Sequence, residues 1–451
     1  MNVGDLKKVN IIDLGHKGEG IGKIENMAIF INGAILGDQV LAKIVKLKKN
    51  YAIGELIKIT KKSDYRVDSV CSISEKCGGC QIIEMDYTEQ LKFKKNLVKE
   101  NLKRIGNIDV EVEEIIGMKN PYNYRNKAQI PIGKLNKKVI MGFYEMNSHK
   151  IVDSDDCKIQ DERNTLIINI IKNFVETFNI SIYNEEKSKG LLRHIVTRVG
   201  NKTGDIMIIL VVNGNELPNS DILVETLKDK IDGVKSIVLS INKSKGNKIL
   251  GDKTKVIYKN DYIEDYIGDI KFKISTNSFY QVNSSQTYAL YKKAVEYAGI
   301  NKNDVVLDLY CGIGSISLFL AKEAKKVIGV EVVESAIKNA KENALLNNIN
   351  NVEFILGKAE DELPNIFKKG EKPSTIVVDP PRKGLDSKVI DTIIKMSPNN
   401  IVYVSCNPST LARDLKLFND NGYNIDKVSC VDMFPHTSHV ECIVLMSRNE
   451  K

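Results

Sequence analysis

The sequence predicts an α/β protein with three parts: a small N-terminal OB-like β-barrel, a central α+β domain, and a C-terminal domain with a doubly wound, Rossmann-like sheet. Two observations predict this arrangement. The first 60 residues hold short runs rich in Val, Ile and Leu between glycine turns, as in small antiparallel barrels. After about residue 285, strand-like and helix-like runs alternate strictly, which is typical of a doubly wound sheet. We place the parts at residues 1–62, 63–274 and 275–451.

The N-terminal part combines the predicted barrel with an excess of positive charge. Its predicted strands span 9–13, 27–31, 38–45 and 51–59. Residues 1–62 contain eleven lysines and six acidic residues, so +5 of the net charge of +8 lies there. A basic module on a nearly neutral body indicates a polyanionic partner, and we expect RNA. A solvated lysine-rich face is the alternative that charge alone leaves open.

The central part begins with a helical pattern and continues as a mixed domain. The pattern near 86–104 places leucines between charged residues, and we expect the segment 86–118 to pack on the C-terminal domain. A second helix is predicted near 161–178. Apolar runs rich in β-branched residues predict a largely antiparallel sheet, with strands at 128–132, 139–144, 194–199, 207–212 and 236–241.

The C-terminal part shows the alternation most clearly. Strands are predicted at 305–310, 326–331, 352–356, 375–379 and 401–405, with helices near 286–298, 315–322, 335–347 and 387–396. A last apolar strand covers 441–446, and residues 431–433 are predicted to pair nearby.

Composition excludes several classes of protein. With 42% hydrophobic and 27% charged residues, the chain is typical of a globular protein. The longest uninterrupted apolar run is 206–212, far shorter than the ~20 residues of a membrane helix, and the first residues show no signal-peptide pattern. We therefore expect a cytoplasmic protein without a membrane or an obligate protein partner. In that compartment its eight cysteines indicate metal binding or catalysis rather than disulfides.

A cofactor site is predicted where the first strand of the alternating region ends. That strand leads into Asp308 and a loop with Gly312 and Gly314, and Glu331 ends the next strand. Ligands of such sheets bind at the carboxyl ends of the strands, and an acid at this position can accept hydrogen bonds from ribose hydroxyls. The missing third glycine argues against a dinucleotide. An acid just before the loop suits a cationic ligand, so S-adenosylmethionine is the cofactor that we expect.

Two further loops follow predicted strands of the same sheet. Residues 379–382 read Asp-Pro-Pro-Arg, and the prolines stiffen the loop. Arg382 replaces the aromatic residue usual in amino-group methylases. The strand at 401–405 ends at Cys406, which Asn-Pro follows, so an accessible thiol is predicted beside the first loop. A cysteine nucleophile with this cofactor indicates methylation of a pyrimidine carbon.

Carbon methylation of uracil requires a base as well as a nucleophile. Carbon 5 attacks a methyl sulfonium only after a thiolate has added to carbon 6, and the proton on carbon 5 must then be removed. Glu441 begins the last predicted strand and is our candidate for the base. His436 and His439 are weaker alternatives, and a structural role is expected for each.

At this point the sequence resembles the RNA uracil-5-methyltransferase family, and the first 60 residues resemble its TRAM domain. The matching motifs lie at 279–283, 308–314, 379–382, 405–414 and 439–441. The resemblance implies that Cys406 is the nucleophile and Glu441 the proton acceptor. It also implies that the cofactor contacts four residues: Gln281, Tyr310, Glu331 and Asp379. Ser315 departs from the asparagine that some members use to contact the cofactor.

A cysteine cluster lies at the start of the central part. Cys71, Cys77 and Cys80 follow the spacing Cys-x5-Cys-x2-Cys, and Cys157 is the other cysteine of the central part. Four thiolates suit a zinc ion or an iron–sulfur cluster, and spacing alone does not choose between them. Resemblance to the ribosomal-RNA members of the family implies a [4Fe–4S] cluster, with zinc as the alternative. We expect a structural or RNA-orienting role for it.

The expected substrate is a uridine in 23S ribosomal RNA, with Arg125 and Lys127 as candidates for lining the RNA path. The transfer-RNA T-loop is the nearest alternative. The transfer-RNA members of the family are expected generally to lack the barrel and the cysteine cluster, which argues against this alternative. Two other hypotheses are a cytosine-5-methylase and a non-enzymatic RNA-binding or iron-sensing protein. The complete set of motif residues argues against the last.

Overall fold

The computed structural model of the protein describes residues 1–449. Residues 450 and 451, the end of the predicted C-terminal part, lie outside the described residues. The strands form a closed barrel, a seven-stranded sheet, a two-stranded sheet and an eight-stranded sheet. Across residues 1–449, the helices are all too short or too polar to cross a membrane.

The N-terminal barrel closes in the strand order β1-β2-β3-β5-β4. Its strands are β1 (Leu6–Leu14), β2 (Gly20–Ile24), β3 (Met27–Ile31), β4 (Gln39–Leu47) and β5 (Tyr51–Lys61). Alternate apolar side chains such as Val9, Ile29 and Val40 fill its interior. The sequence did not predict β2, because its glycines interrupt the apolar alternation that marks a strand.

A helical segment follows and joins the C-terminal part of the molecule. It consists of α1 (Tyr87–Asn101), a π-helical turn (Leu102–Gly106) and the short strand β6 (Ile115–Ile116). Val98 and Leu102 pack into the same core as the C-terminal sheet, and β6 pairs in parallel with the penultimate strand of the chain. The segment 86–118 therefore packs on the C-terminal part of the molecule.

The central sheet has seven strands in the order β13-β12-β11-β10-β7-β8-β9. The strands are β7 (Lys127–Leu135), β8 (Lys138–Tyr144), β9 (Ile151–Asp153), β10 (Leu192–Val199), β11 (Ile206–Val212), β12 (Val234–Ile241) and β13 (Lys253–Lys259). Neighbours pair antiparallel except β11 and β12. Every residue of β10 and β11 is buried, since both faces of the sheet are covered.

Two layers cover this central sheet. Helices α2 (Arg163–Thr177) and α3 (Ser220–Lys230) pack on one face. The hairpin of β14 (Tyr262–Ile267) and β15 (Ile270–Ser275) contributes to a core on the other face, which also contains side chains of the C-terminal domain. The sequence analysis identified α2 but neither α3 nor this hairpin.

The C-terminal sheet has the order β18-β17-β16-β19-β20-β22-β21-β6. Its remaining strands are β16 (Val305–Leu309), β17 (Lys326–Glu331), β18 (Val352–Leu356), β19 (Thr375–Val378), β20 (Asn400–Ser405), β21 (Tyr423–Val431) and β22 (Glu441–Arg448). The first five strands in this order are parallel, and β22 runs antiparallel to β20. The strand predicted at 431–433 corresponds to β21, which ends at Val431 because a loop begins at residue 432.

Helices cover both faces of this sheet. One core contains side chains of α4 (Ser284–Ala298), α5 (Ser315–Ala321) and α6 (Glu334–Leu346). The other contains side chains of α1, α7 (Ala359–Lys368), α8 (Ser387–Met396) and α9 (Pro408–Asp420). This three-layer arrangement leaves the carboxyl ends of the parallel strands along one edge.

A buried ion pair fastens α1 to the loop between β21 and β22. The Nζ atom of Lys94 lies 2.5 Å from a carboxylate oxygen of Asp432, and both side chains are fully buried. Lys94 also donates to the carbonyl of Phe434, and the Tyr87 hydroxyl donates to Asp432. We call residues 432–440, which lead directly to Glu441, the connecting loop.

Replacing Lys94 by alanine would leave Asp432 as a buried carboxylate without its cation. We expect a loss of about 3–5 kcal/mol of stability, which is typical when one partner of a buried pair is removed. The measurement is the midpoint of urea unfolding. Lys92→Ala removes an exposed lysine of the same helix that pairs with Glu89 and should leave the midpoint unchanged. Equal midpoints for the two variants would contradict the prediction.

Candidate active site

The predicted site residues meet at the carboxyl edge of the C-terminal sheet. Strands β16, β17, β19 and β20 are parallel neighbours, so the segments that follow them emerge side by side. Strand β22 runs the other way and therefore begins at the same edge. Ser405, the last residue of β20, lies opposite Cys442. Glu441 and Cys406 are consequently brought together, although 35 residues separate them in the chain.

The loop after β16 has a backbone conformation suited to close approach by a ligand. Tyr310, Gly312 and Gly314 have φ angles of 66°, 56° and 80°, in the left-handed region that favours glycine. A Cβ atom on Gly314 would also lie 2.8 Å from the Phe354 ring. Tyr310 adopts this conformation without being glycine, as residues at functional sites often do.

Glu331 is fixed by the backbone around it. One carboxylate oxygen accepts a hydrogen bond of 3.1 Å from Gly312 N–H, and the other accepts one of 2.9 Å from Val333 N–H. These contacts hold the carboxylate beside the glycine loop. In that position it can accept hydrogen bonds from the two hydroxyls of a ribose.

Three acidic side chains lie at this edge, two of them almost fully buried. Asp308 is 0% and Glu441 4% exposed, and Asp379 follows β19. Burial raises the pKa of Asp308 and of Asp379 to about 7. Burial also raises the pKa of Glu441 well above its usual value. The charge of Asp379 raises this pKa further, and the charge of Arg382 lowers it. One oxygen of Asp308 accepts from Ser317, and the other has no hydrogen-bond partner in residues 1–449.

Cys406 lies on a loop that its neighbours make rigid. The Asn407 side chain caps α9 by accepting from Ser409 N–H and donates to the carbonyl of Arg382. Thr410 donates to the same carbonyl, so the Pro-Pro loop at 379–382 and the loop that carries Cys406 are tied together. The thiol is half-buried. Burial raises the pKa of Cys406 to about 11, with contributions from Glu441 and Asp379, while the Arg382 guanidinium opposes this rise.

Buried polar residues of the central sheet position the segment before α4, which includes Gln281. The Asn126 amide donates to the Gln281 carbonyl, at 2.9 Å, and to Ser284. Arg198 is buried and donates to the carbonyls of Thr276 and Ser278. The sequence analysis missed both residues. Arg198 is one of four polar residues in the fully buried strand β10, so the sequence pattern did not single it out.

Tyr291 on α4 is a second residue that the sequence analysis missed. Its side chain is buried, and burial raises the pKa of its hydroxyl while the neighbouring Ser315 side chain opposes this rise. The nearby charges of Asp379, Asp308 and Glu441 raise the pKa of Tyr291 further. Ser315, the position that departs from the family pattern, is thus a neighbour of Tyr291.

The connecting loop holds its two histidines in different environments. His436 is buried, hydrogen-bonds to Gln90, and stacks on Tyr122 with ring centroids 4.7 Å apart. His439 is exposed at the edge of a cavity. Partial burial and the charges of Arg382, Lys94 and Arg125 lower the pKa of His439 to about 4, so it is neutral at pH 7.

The four predicted metal-ligating cysteines line one small cavity, together with Arg125. Burial raises the pKa of Cys77, Cys80 and Cys157, and the nearby Cys71 thiol raises each of them further. Gly79 N–H donates to the Cys77 sulfur, and the backbone N–H groups of Ile159 and Gln160 oppose the rise in the pKa of Cys157. Such N–H···S contacts favour thiolates. Within residues 1–449, no group of three or more His, Cys, Asp or Glu residues is arranged to hold a metal ion.

The segment 71–85, which carries three of the four clustered cysteines and which we call the cysteine loop, also contacts the connecting loop and the barrel. Ile82 N–H donates to the carbonyl of His436, and Ser438 N–H donates to the Gln81 side chain. Gly18 of the barrel packs so closely that a Cβ atom there would lie 2.9 Å from Cβ of Gln81. Barrel, cysteine loop and connecting loop therefore meet at one point.

A cleft of about 1150 Å³ opens between the barrel and the central domain and reaches His439. Two aromatic pairs line it: Phe30 with Tyr51, and Tyr144 with His149, each with ring centroids 5.6 Å apart. Lys127, one candidate for the RNA path, is half-buried on β7. Burial and the charge of Arg198 lower the pKa of Lys127 to about 8.

Known proteins resemble the chain over its whole length. The family described as tRNA (uracil-5-)-methyltransferase matches residues 86–449, and the TRAM domain matches residues 2–57. A Clostridium tetani protein named an uncharacterized RNA methyltransferase is 52% identical over 437 residues, covering 97% of this chain and 95% of that protein. A Bacillus cereus protein of the same name is 50% identical over 440 residues, covering 97% and 96%.

One solved structure is similar over the same extent. It is the Pyrococcus abyssi tRNA (uracil-54, C5)-methyltransferase in complex with S-adenosyl-L-homocysteine. The similarity has a TM-score of 0.79 at 29% identity and covers 98% of this chain and 100% of that chain. These comparisons confirm the predicted fold class.

Glu331→Gln tests the assignment of the cofactor site. The amide keeps the size of the side chain but removes the charge and one acceptor. We expect S-adenosylmethionine to bind about 10- to 100-fold more weakly, since a hydrogen bond to a charged group contributes roughly 1.5–3 kcal/mol. Isothermal titration calorimetry measures the affinity. Glu353→Gln, an exposed position on β18, is the matched control and should bind normally. Unchanged affinity of Glu331→Gln would refute the assignment.

Proposed function

Because the chain belongs to the tRNA (uracil-5-)-methyltransferase family, we propose that it methylates carbon 5 of a uridine in 23S ribosomal RNA. The protein is an RNA methyltransferase that uses S-adenosylmethionine. The target RNA, the catalytic residues and the iron–sulfur cluster are the parts that we propose.

The placement of Cys406 beside Glu441 is the observation that carries the proposal. Methylation at carbon 5 needs a nucleophile for carbon 6 and a base for the proton on carbon 5, both within reach of one ring. The pairing of Ser405 with Cys442 supplies that arrangement. An amino-group methylase would need no thiol at this position.

The residues at the strand edge suit S-adenosylmethionine. Glu331 is oriented for the ribose hydroxyls, and the loop at 310–314 allows close approach of the backbone. Asp308 and Asp379 offer negative charge to a cationic ligand, while Gln281 lies on the segment that leads into α4. When bound, the cofactor supplies an electrophilic methyl group.

In the proposed reaction, the Cys406 thiolate forms a bond to carbon 6 of uracil, and the displaced π electrons give an enolate. Carbon 5 then acquires the methyl group. Glu441 accepts the proton of carbon 5, the double bond between carbons 5 and 6 forms again, and the bond from carbon 6 to the Cys406 sulfur breaks. Arg382 favours the thiolate of Cys406. To reach these groups the uridine must leave its base stack.

The cleft and the barrel support an RNA substrate. Aromatic rings such as those of Tyr51 and Tyr144 stack on unpaired bases regardless of sequence. The excess of lysine in residues 1–62 is suited to the phosphate backbone. The cleft reaches His439, two residues before Glu441, so RNA bound there would lead towards the site.

A transfer RNA T-loop remains the second candidate substrate, and one comparison favours it. We expected transfer-RNA enzymes of this family to lack the barrel. The similarity to the Pyrococcus abyssi tRNA enzyme covers 98% of this chain, so that expectation fails for that protein. The cysteine cluster still supports ribosomal RNA, because the resemblance associates it with the ribosomal-RNA members.

We also propose that Cys71, Cys77, Cys80 and Cys157 hold a [4Fe–4S] cluster. Their shared cavity and the N–H···S contact from Gly79 to Cys77 support this assignment. The methylation steps above require no electron transfer. A cluster here would brace the cysteine loop, which hydrogen-bonds to the connecting loop.

A trapping assay tests the proposed chemistry. RNA that contains 5-fluorouridine should form a covalent protein–RNA adduct with S-adenosylmethionine, since fluorine at carbon 5 cannot be removed as a proton. We expect the adduct on a denaturing gel with 23S ribosomal RNA, and none with Cys406→Ala. An adduct with transfer RNA alone would favour the second substrate. No adduct with either RNA, while the cofactor still binds, would refute uracil-5 methylation.

Metal analysis tests the cluster. Anaerobically purified protein should contain about four iron and four sulfide per chain and absorb near 400 nm. Cys157→Ser should lose most of the iron, while Cys311→Ala, a cysteine of the glycine loop, should retain it. One zinc per chain would establish the alternative. Iron that persists in Cys157→Ser would contradict the ligand set.

A further inference from the structure

Asp308, Asp379 and Glu441 gather negative charge without a matching cation. Asp308 lies next to the end of β16, Asp379 follows β19 and Glu441 begins β22. The buried hydroxyl of Tyr291 lies among them. Within residues 1–449, none of the three takes part in an ion pair of 4.0 Å or less. One oxygen of Asp308 also has no hydrogen-bond partner there.

Buried carboxyl groups without a cation hold their protons more firmly, because the charged form is poorly solvated. The pKa values of all three groups are raised, that of Glu441 well above its usual value. The charged neighbours of Glu441 act in both directions. Asp379 on the β19 side raises its pKa, and Arg382 on the same loop lowers it. The thiols of Cys406 and Cys442 are uncharged at neutral pH, as is His439.

This arrangement conflicts with the proposed role of Glu441, on which this inference rests. A carboxyl group that already holds a proton cannot accept the one from carbon 5. A carboxylate with permanently low proton affinity would be a weak base. The group has to be ionised before the reaction and strongly basic during it.

We propose that a cationic cofactor expels the proton of Glu441 on binding, and that neutralisation of this positive charge by methyl transfer restores the proton affinity when the base is needed. A sulfonium beside the three carboxyls is the cation that they lack, so it favours their ionised forms. Methyl transfer leaves a neutral thioether. Glu441 is then a buried carboxylate with only Arg382 to oppose its protonation.

The proton balance closes over one turnover. The bond between carbon 5 and its hydrogen breaks, and the proton goes to a carboxylate oxygen of Glu441. The bonding electrons form the double bond between carbons 5 and 6, and the bond from carbon 6 to the Cys406 sulfur breaks to release the thiolate. The thiolate regains from solvent the proton that the Cys406 thiol lost to solvent before its attack. The proton on Glu441 leaves to solvent when the next cation binds.

Calorimetry without RNA tests this coupling in the full-length protein. S-adenosylmethionine and its neutral product S-adenosylhomocysteine are titrated at pH 7 in two buffers of different ionisation enthalpy, which gives the number of protons released by each. We expect more protons released by the charged ligand. Between pH 6 and 8 the preference for S-adenosylmethionine should increase with pH, by up to about tenfold per unit for each proton linked. The sign follows because proton release is easier at higher pH.

Glu441→Gln, which preserves the size of the side chain, should reduce the difference in proton release between the two ligands. Glu353→Gln should leave it unchanged. Equal release by the two ligands in the unmodified protein would overturn the proposal, and this comparison does not depend on the folding of any variant. An undiminished difference in Glu441→Gln would overturn it too, by assigning the coupling to the two aspartates.

The result of the trapping assay does not depend on the result of this calorimetric test. An absent adduct with normal proton release would refute the uridine chemistry but leave the coupling intact. An adduct with equal release by both ligands would establish the chemistry and refute the coupling.

Discussion

The antiparallel pairing of β22 with β20 is the constraint on which the rest of the site depends. In a parallel sheet, the segments that follow the strands all emerge at one edge, and all of them lead away from the sheet. Strand β22 instead enters the sheet at that edge, so its first residue, Glu441, faces the segment after β20. The pairing therefore brings Glu441, the proposed proton acceptor, to the same edge of the sheet as Cys406, the proposed nucleophile.

Placing the first residue of a strand accurately requires that the loop before it be rigid. The connecting loop is held from several directions: by Lys94 of α1, by Gln286 of α4, by Tyr124, and by Ile82 of the cysteine loop. Most of these contacts reach backbone carbonyls, which fixes the path of the chain rather than one side chain. Among these contacts, we expect loss of the buried pair of Lys94 with Asp432 to cost the most free energy of folding, because it leaves a buried charge without its partner.

Local patterns in the sequence predicted much of the fold and most of the candidate site. Alternating apolar runs identified the strands of the parallel sheet, and residues such as Asp308 and Glu331 were found because they end such runs. The glycine-rich strand β2 lacks a strong pattern and was missed. The hairpin β14–β15 was also missed, although its residues alternate between the two faces. Lys94 could not be recognised as buried, because helical periodicity does not distinguish a buried lysine from a surface one. Asn126 and Tyr291 act through contacts distant in sequence, which no local pattern reveals.

The close contact of Gly18 with Gln81 and Ser438 has a consequence for how a substrate is selected. Since the barrel abuts Gln81 and Ile82 without room for a Cβ atom and lies in van der Waals contact with Ser438 of the connecting loop, it cannot swing freely relative to Cys406. The distance between the barrel and Cys406 is thereby fixed by the protein. For the proposed RNA substrate, we expect a uridine to be selected by its spacing along the strand from the backbone bound at the barrel, more than by the identity of the bases around it.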